Sequence, residues 1–406
     1  MHNICIYDLQ YVILAHPEVQ ICDASTNQYN TDDYSYVEGK VFLISQFPPM
    51  RHIVTLRVKR GNLSQGTSVN SIYFTTPPKT DQIEYRSSLI RIICDRSRSI
   101  DGSVVLTNNS NTIFRQIMKV ILYYGAVNLH NSFIHRLEIS SGADKKVIAE
   151  YSYKRDTQPI PWHNISFTHS FNTVGLANQL FVGPYGDKLA NILSHWLVGV
   201  STKDRHKKFE SLWRTFEQLC DHHNRAMANR KEFDNLREMR AFMEGHAAVL
   251  PLTSSLLSSK DYAWLRRFQW RQLIYNNYPL TATKRSVWEG YRDHFVMRNT
   301  DSRIITMLND TLVYRKKKWV LFPDIKTSID SHIATYTANP VIDDVQLAAL
   351  LCCKFAYFIR NKIFHGEVYE KNFRFYNTVD DDWQVDELNA ILETLSYELI
   401  DNYAQL

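Results

Sequence analysis

A change in hydrophobic period near residue 185 sets the terms on which this chain can fold. Up to that point apolar residues come in short, strand-like runs such as "GKVFLISQF", "RHIVTLRVKRG", "VNSIYFTTPP" and "KVIAEYSYK". The pairs Pro48-Pro49 and Pro77-Pro78 fall between the runs, as turn residues do. One segment breaks the rule: "NTIFRQIMKVILYYGAVNLH" repeats Phe114, Ile117, Met118 and Ile121 at helical spacing. Beyond residue 185 the period is helical to the C-terminus, and "DRHKKFESLWRTFEQLCDHHNRAMANR" sets Phe209, Leu212, Trp213, Phe216, Leu219 and Cys220 on one stripe. A sheet face and a helix stripe bury their apolar residues in different ways, so the two periods need two cores. The fold class expected is therefore α+β, with a β-rich mixed domain over 1–185 followed by an all-α helical bundle over 186–406. A length of 406 residues is enough to give each its own core.

Composition removes several classes. Hydrophobic residues at 44% and charged residues at 22% are those of a globular chain and not of a disordered one. The six cysteines are scattered without a C-x-x-C pair, which excludes a disulfide frame and a Cys-based zinc site and suits a reducing, cytoplasmic setting. "MHNICIYDLQ" lacks the basic start and continuous apolar core of a signal peptide. The longest apolar run, Leu347 to Ile359, is interrupted by Lys354 and is shorter than the roughly 20 residues a bilayer requires, so no membrane span is expected. The β-rich half presents no phosphate loop, nucleophile elbow or metal-ligand cluster, and neither a cofactor nor a metal is expected.

Net charge is +5, but its distribution says more. Residues 260–318 hold 13 Lys and Arg against 5 Asp and Glu, interleaved with Trp264, Phe268, Trp270 and Tyr275. Clustered cations beside aromatic rings suit an RNA backbone and its bases, which makes Lys316, Lys317 and Lys318 of "YRKKKW" candidate RNA contacts. The tail from residue 380 carries eight Asp and Glu and no Lys or Arg. It would repel RNA, so the apolar face of Leu388, Ile391, Leu392, Leu395 and Leu399 is assigned to packing or dimerisation. His222 and His223 have no ligand-spaced partner and read as surface or helix-end residues.

One stretch suggests chemistry. In "PVIDDVQLAALLCCKFAYFIRNKIFHG", Asp343 and Asp344 mark a helix start and Gly366 its end, about six turns later. Near the end stand Arg360, Asn361 and His365, with Asn361 and His365 four apart on one face. An arginine a few residues before a histidine is weak by itself, and Arg240 with His246 repeats it elsewhere. The context is what counts: an apolar helix leads in and a glycine leads out. A histidine near neutral pKa can move protons and a permanently charged guanidinium can brace a pentavalent phosphate, the two needs of RNA cleavage by the substrate's own 2′-hydroxyl. Glu217 lies on the apolar stripe of its helix, where an unpaired carboxylate is costly, so either Arg360 partners it or it reaches solvent at the edge of the stripe.

"YFIRNKIFHGE" taken with "FESLWRTFEQL" resembles the HEPN superfamily, in the Apea-like form found in bacterial defence and toxin systems. The resemblance spans roughly residues 190 to 406, with a basic insertion at about 250–330 between the motif helices. It implies a metal-independent endoribonuclease leaving 2′,3′-cyclic phosphate and 5′-hydroxyl ends. Arg360 and His365 would be the catalytic pair, Asn361 the residue that orients them, Glu217 a support, and Lys362 a further RNA contact. It also implies a homodimer through the helical domain, with RNA as substrate. The β-rich domain would sense a phage-derived or nucleotide trigger, restrain the nuclease or hold RNA, in a setting such as abortive infection. The competing expectation is a non-catalytic module of the same type that binds RNA or a nucleotide.

Overall fold

The computed structural model describes residues 19–21, 43–45, 50–59, 68–73, 79–86, 88–96, 101–108, 110–129, 132–142, 146–160, 165–226, 231–279, 282–312, 322–364 and 379–406. The chain separates into two compact units, Met1–Leu197 and Val198–Leu406. The division falls inside a single helix, Gly186–Ser201, which begins where the hydrophobic period of the sequence changes.

The first unit is built on a six-stranded antiparallel sheet. Its strands are β3 (Met50–Val58), β4 (Ser68–Tyr73), β5 (Lys79–Arg86), β6 (Leu89–Arg96), β7 (Ile134–Ser141) and β8 (Lys146–Ser152), in the spatial order β4-β5-β6-β3-β7-β8. Two short strands, β1 (Val19–Ile21) and β2 (Leu43–Ser45), form a separate antiparallel pair. Alternation places Val54, Leu56 and Val58 of β3 and Ile90, Ile92 and Cys94 of β6 on the buried face. Helix α1 (Thr112–Asn128), the helical exception in the sequence, packs along β6. Asn111 caps it, its side-chain oxygen accepting from the Ile113 and Phe114 backbone amides at 2.9 and 3.4 Å. Polar ties join helix to sheet: Ser71 donates to Gln116 at 2.7 Å, and Arg96 Nε donates to Thr112 at 3.2 Å. Arg96 also forms a fully buried two-pronged pair with Asp81 at 2.8 and 3.0 Å.

The second unit is helical, and the sequence-read α+β layout holds. After α2 (Gly186–Ser201) come α3 (Arg205–His223), α4 (Glu232–Gly245), α5 (Pro251–Ser258), α6 (Trp270–Asn277), α7 (Ser302–Leu312) and α8 (Pro323–Ala338). Helix α9 runs unbroken as Asp344–Leu350, a π-helical stretch Leu351–Ala356, and Tyr357–Phe364; α10 (Val379–Asp401) closes the chain. Asp343 starts α9 by accepting from the Gln346 amide at 2.9 Å. Gly366 lies outside the described residues.

Helix α10 packs on α3 and α5, and Leu388, Ile391, Leu392, Leu395 and Leu399 are all buried within the unit. Of the two roles open to that face, packing is the one it has here. The acidic surface of α10 serves as internal counter-charge. Asp382 meets Arg205 at 2.7 Å, Glu387 meets Lys260 at 3.1 Å, and Glu393 pairs with Lys208. Glu398 accepts from the Leu252 and Thr253 amides at 2.5 and 3.0 Å, capping α5 in place of a local side chain. The stretch read as a basic insertion belongs to this core, for Leu257, Leu265, Phe268, Trp270, Leu273 and Ile274 are buried. One of its cations is internal too: Arg303 is held by Asp301 at 2.7 Å and Asp344 at 2.8 Å.

Candidate active site

Helix α9 is apolar over most of its length, with Leu347, Leu350, Leu351, Cys352, Phe355 and Ala356 fully buried. Near the end of this helix the polar residues Arg360, Asn361 and Lys362 stand half-buried. The guanidinium of Arg360 is flanked by carboxylates from two other helices. Its Nη2 lies 3.6 Å from Glu217 Oε1 on α3 and 3.6 Å from Glu232 Oε1 at the first position of α4. Its Nη1 donates to Asn361 Oδ1 at 2.9 Å. The side chain keeps 24% of its surface exposed.

Electrostatics at this cluster follow from the close acids. Glu217 is pushed up from the ordinary value of 4.5 to about 7, chiefly by burial and then by the hydrogen bond and charge of Glu232, while Arg360 and Arg214 pull the other way. Glu217 therefore keeps its proton closer to neutral pH than an ordinary glutamate does.

Glu217, Arg360 and Asn361 of the sequence-read set are thus brought together. His365 and Lys316, Lys317 and Lys318 lie outside the described residues. Lys362 points elsewhere: its ammonium donates to Gln272 and sits 4.8 Å from the Phe358 ring centre. Gln272 belongs to the wall of a cavity of about 720 Å³, which Tyr262, Arg266, Trp270, Arg271, Tyr275 and Asp310 also line. Arg266 and Arg271 are exposed at its rim, and the half-buried Tyr262 donates its hydroxyl to Asp310.

Glu232 was not read from the sequence. Its one signal is its place in the first turn of α4, where acidic residues oppose the helix dipole; that alone does not aim it at Arg360. The two histidines of "CDHH" stand in the last turn of α3, and His222 is buried, not at the surface, stacked 4.1 Å from the Tyr403 ring. Among the described residues no group of three or more His, Cys, Asp or Glu side chains is placed to hold a metal ion. Among them, too, no helix is long and apolar enough to cross a membrane. No protein-family model, curated protein or solved structure matches the chain.

Proposed function

We propose that the helical unit is an endoribonuclease of the HEPN type, cleaving RNA by attack of the 2′-hydroxyl on the adjacent phosphorus. The observation that carries the reading is the mounting of Arg360, a part-exposed arginine at a helix end whose guanidinium is positioned by Glu217, Glu232 and Asn361. Such a group suits a phosphate whose charge grows in the transition state, because its orientation is set before the substrate arrives. In this reading the bond from phosphorus to the 5′-oxygen breaks as the bond to the 2′-oxygen forms, giving a 2′,3′-cyclic phosphate and a 5′-hydroxyl. His365 moves the protons, a role that rests on the resemblance of "YFIRNKIFHGE" to the family motif. No step requires a metal ion. The cavity beside Lys362, with arginines at its rim and tyrosines in its wall, supports single-stranded RNA as the substrate form.

A second copy of the chain would supply a facing motif, making the active form a homodimer. Cleavage of host RNA would be harmful, so the β-rich unit is assigned the control, answering a phage-derived or nucleotide trigger in cytoplasmic defence or as a toxin.

The alternative, a binding module without catalysis, draws on the same geometry, since a guanidinium already matched by two acids is also a stable helix tie. RNA incubated in EDTA with wild type, Arg360→Ala and His365→Ala, with the fragment ends analysed, separates the two. Cyclic-phosphate ends from wild type alone support the nuclease. Equal cleavage by all three rejects the catalytic assignment, and intact RNA with undiminished binding favours the module.

A further inference from the structure

The cavity of about 720 Å³ falls within the roughly 300–1,000 Å³ of pockets that hold small molecules. Three helices contribute its charged and aromatic lining. The short helix Tyr262–Arg266 gives Tyr262 and Arg266, α6 gives Arg271, Gln272 and Tyr275, and α7 gives Asp310. Tyr262 and Tyr275 are half-buried, so each is anchored and still keeps part of its surface open, while Arg266, Arg271, Gln272 and Asp310 are exposed. Two hydrogen bonds tie the walls. The Tyr262 hydroxyl donates to Asp310, joining the short helix to α7, and the Lys362 ammonium donates to Gln272, joining α9 to α6. Lys362 follows Arg360 by two positions, a rise of about 3 Å along the helix, so one wall of the cavity is fastened to the helix end that carries the guanidinium.

This lining carries both signs of charge beside aromatic rings. A bare phosphate would meet Asp310 as well as the arginines, whereas a nucleobase is flat, neutral and polar only at its edges. Tyrosine faces stack on every base and so do not choose among them. The edges choose. A carboxylate can only accept, and guanine offers it two adjacent donors, N1–H and the N2 amino group, where adenine, cytosine and uracil each offer one donor group. An arginine fork donates, and guanine presents O6 and N7 to it together, the commonest two-point contact between a side chain and a base. We propose that this cavity is a guanine subsite, with Asp310 accepting from N1–H and the N2 amino group, a rim arginine donating to O6 and N7, and Tyr262 and Tyr275 supplying ring faces. The bond from Tyr262 leaves room for this, because a carboxylate accepts at about four positions, and it orients Asp310 before the base arrives. Resting on the nuclease reading, the guanosine held here is the nucleotide beside the scissile phosphate, since the Lys362 tie links the cavity to the end of α9.

Calorimetric titration of the full chain with 5′-GMP, 5′-AMP, 5′-CMP and 5′-UMP gives the first readout. GMP should bind about tenfold tighter than the other three, the discrimination that one two-point base contact supplies. Asp310→Asn keeps an acceptor for Tyr262 but replaces the second carboxylate oxygen with a donor, and it should bring GMP down to the affinity of AMP. Undiminished AMP binding in that variant shows that it is folded. Arg285→Gln, which alters the surface pair with Asp324, should leave all four affinities as they were. The second readout is the sequence at the cut ends of a mixed RNA: guanine at one fixed position beside the cut in wild type, lost in Asp310→Asn while cutting continues. Equal affinity for the four nucleotides, or a guanine preference that survives Asp310→Asn, overturns the subsite. Cyclic-phosphate ends with no fixed guanine also overturn it and leave the nuclease standing. A GMP preference that Asp310→Asn abolishes, in a chain that cuts no RNA, upholds the guanine site and removes the nuclease.

Discussion

Arg360 and Lys354 stand on the same helix in opposite electrostatic settings. At Arg360 two carboxylates from α3 and α4 surround one cation, and burial, with Glu232 adding to it, pushes Glu217 up to about 7. At Lys354 the neighbours are cationic, with Arg240 and Arg298 sharing Glu244, and burial first, then these arginines, pushes the lysine down to about 8. Both clusters meet the same cost, ionised groups withdrawn from water, and they resolve it differently. The acidic one can be neutralised from within, by keeping a proton. The basic one holds arginines that keep their charge, and Glu244 is shared between Arg240 and Arg298.

The contrast between the two clusters is tested hardest at Arg360. Arg360→Ala is expected to lower the initial rate of RNA cleavage by about 10² to 10³, the usual loss when one donor to a developing oxyanion is removed. Arg360→Lys should recover little of it, since a point charge lacks the planar fork that Glu217, Glu232 and Asn361 position. A cleavage rate unchanged by either substitution would reduce the cluster to a structural tie.

A smaller effect is expected at the cavity beside Lys362. Arg266→Gln with Arg271→Gln should weaken binding of a short single-stranded RNA about tenfold in a His365→Ala background. The slope of log affinity against log salt should fall by roughly 1.4, or about 0.7 for each phosphate no longer neutralised. Fluorescence anisotropy reads both quantities, and undiminished affinity would remove the cavity from the RNA path.

The smallest effect concerns the shared proton. A carboxylate whose folded pKa lies above its unfolded value binds more protons in the native state. Its contribution to stability is therefore present at acid pH and is lost as pH rises from about 4.5 to about 7. Glu217→Gln should flatten that part of the profile and raise stability at pH 8 relative to wild type. Urea denaturation at pH 5 and pH 8 checks the sign; a variant less stable at pH 8 would show that ionised Glu217 is worth more to Arg360 than its burial costs.

Much of this arrangement is legible in the chain because it depends on periodicity and end signals, which are local. The strands around "RHIVTLRV" and "VNSIY", the helix α1, the start of α9 at Asp343 and the apolar face of α10 all announce themselves this way. Strand β5, "KTDQIEYR", does not, since its buried Asp81 reads as a surface residue until β6 brings Arg96 beside it. The acid Glu398 is equally opaque: on an acidic helix it looks solvated, yet it caps α5.

Hydrophobic spacing acts over a few residues at a time, so the division into a sheet-forming and a helical part is already written in the chain, as is the apolar helix ending in Arg360 and Asn361. Which charges meet is a matter of tertiary packing. Glu232 is far from Arg360 along the chain, as Arg240 is from Lys354, and no local rule encodes their approach. Charge pairing in a folded core is set by which helices pack together, so one helix can carry Arg360 among carboxylates and Lys354 among arginines.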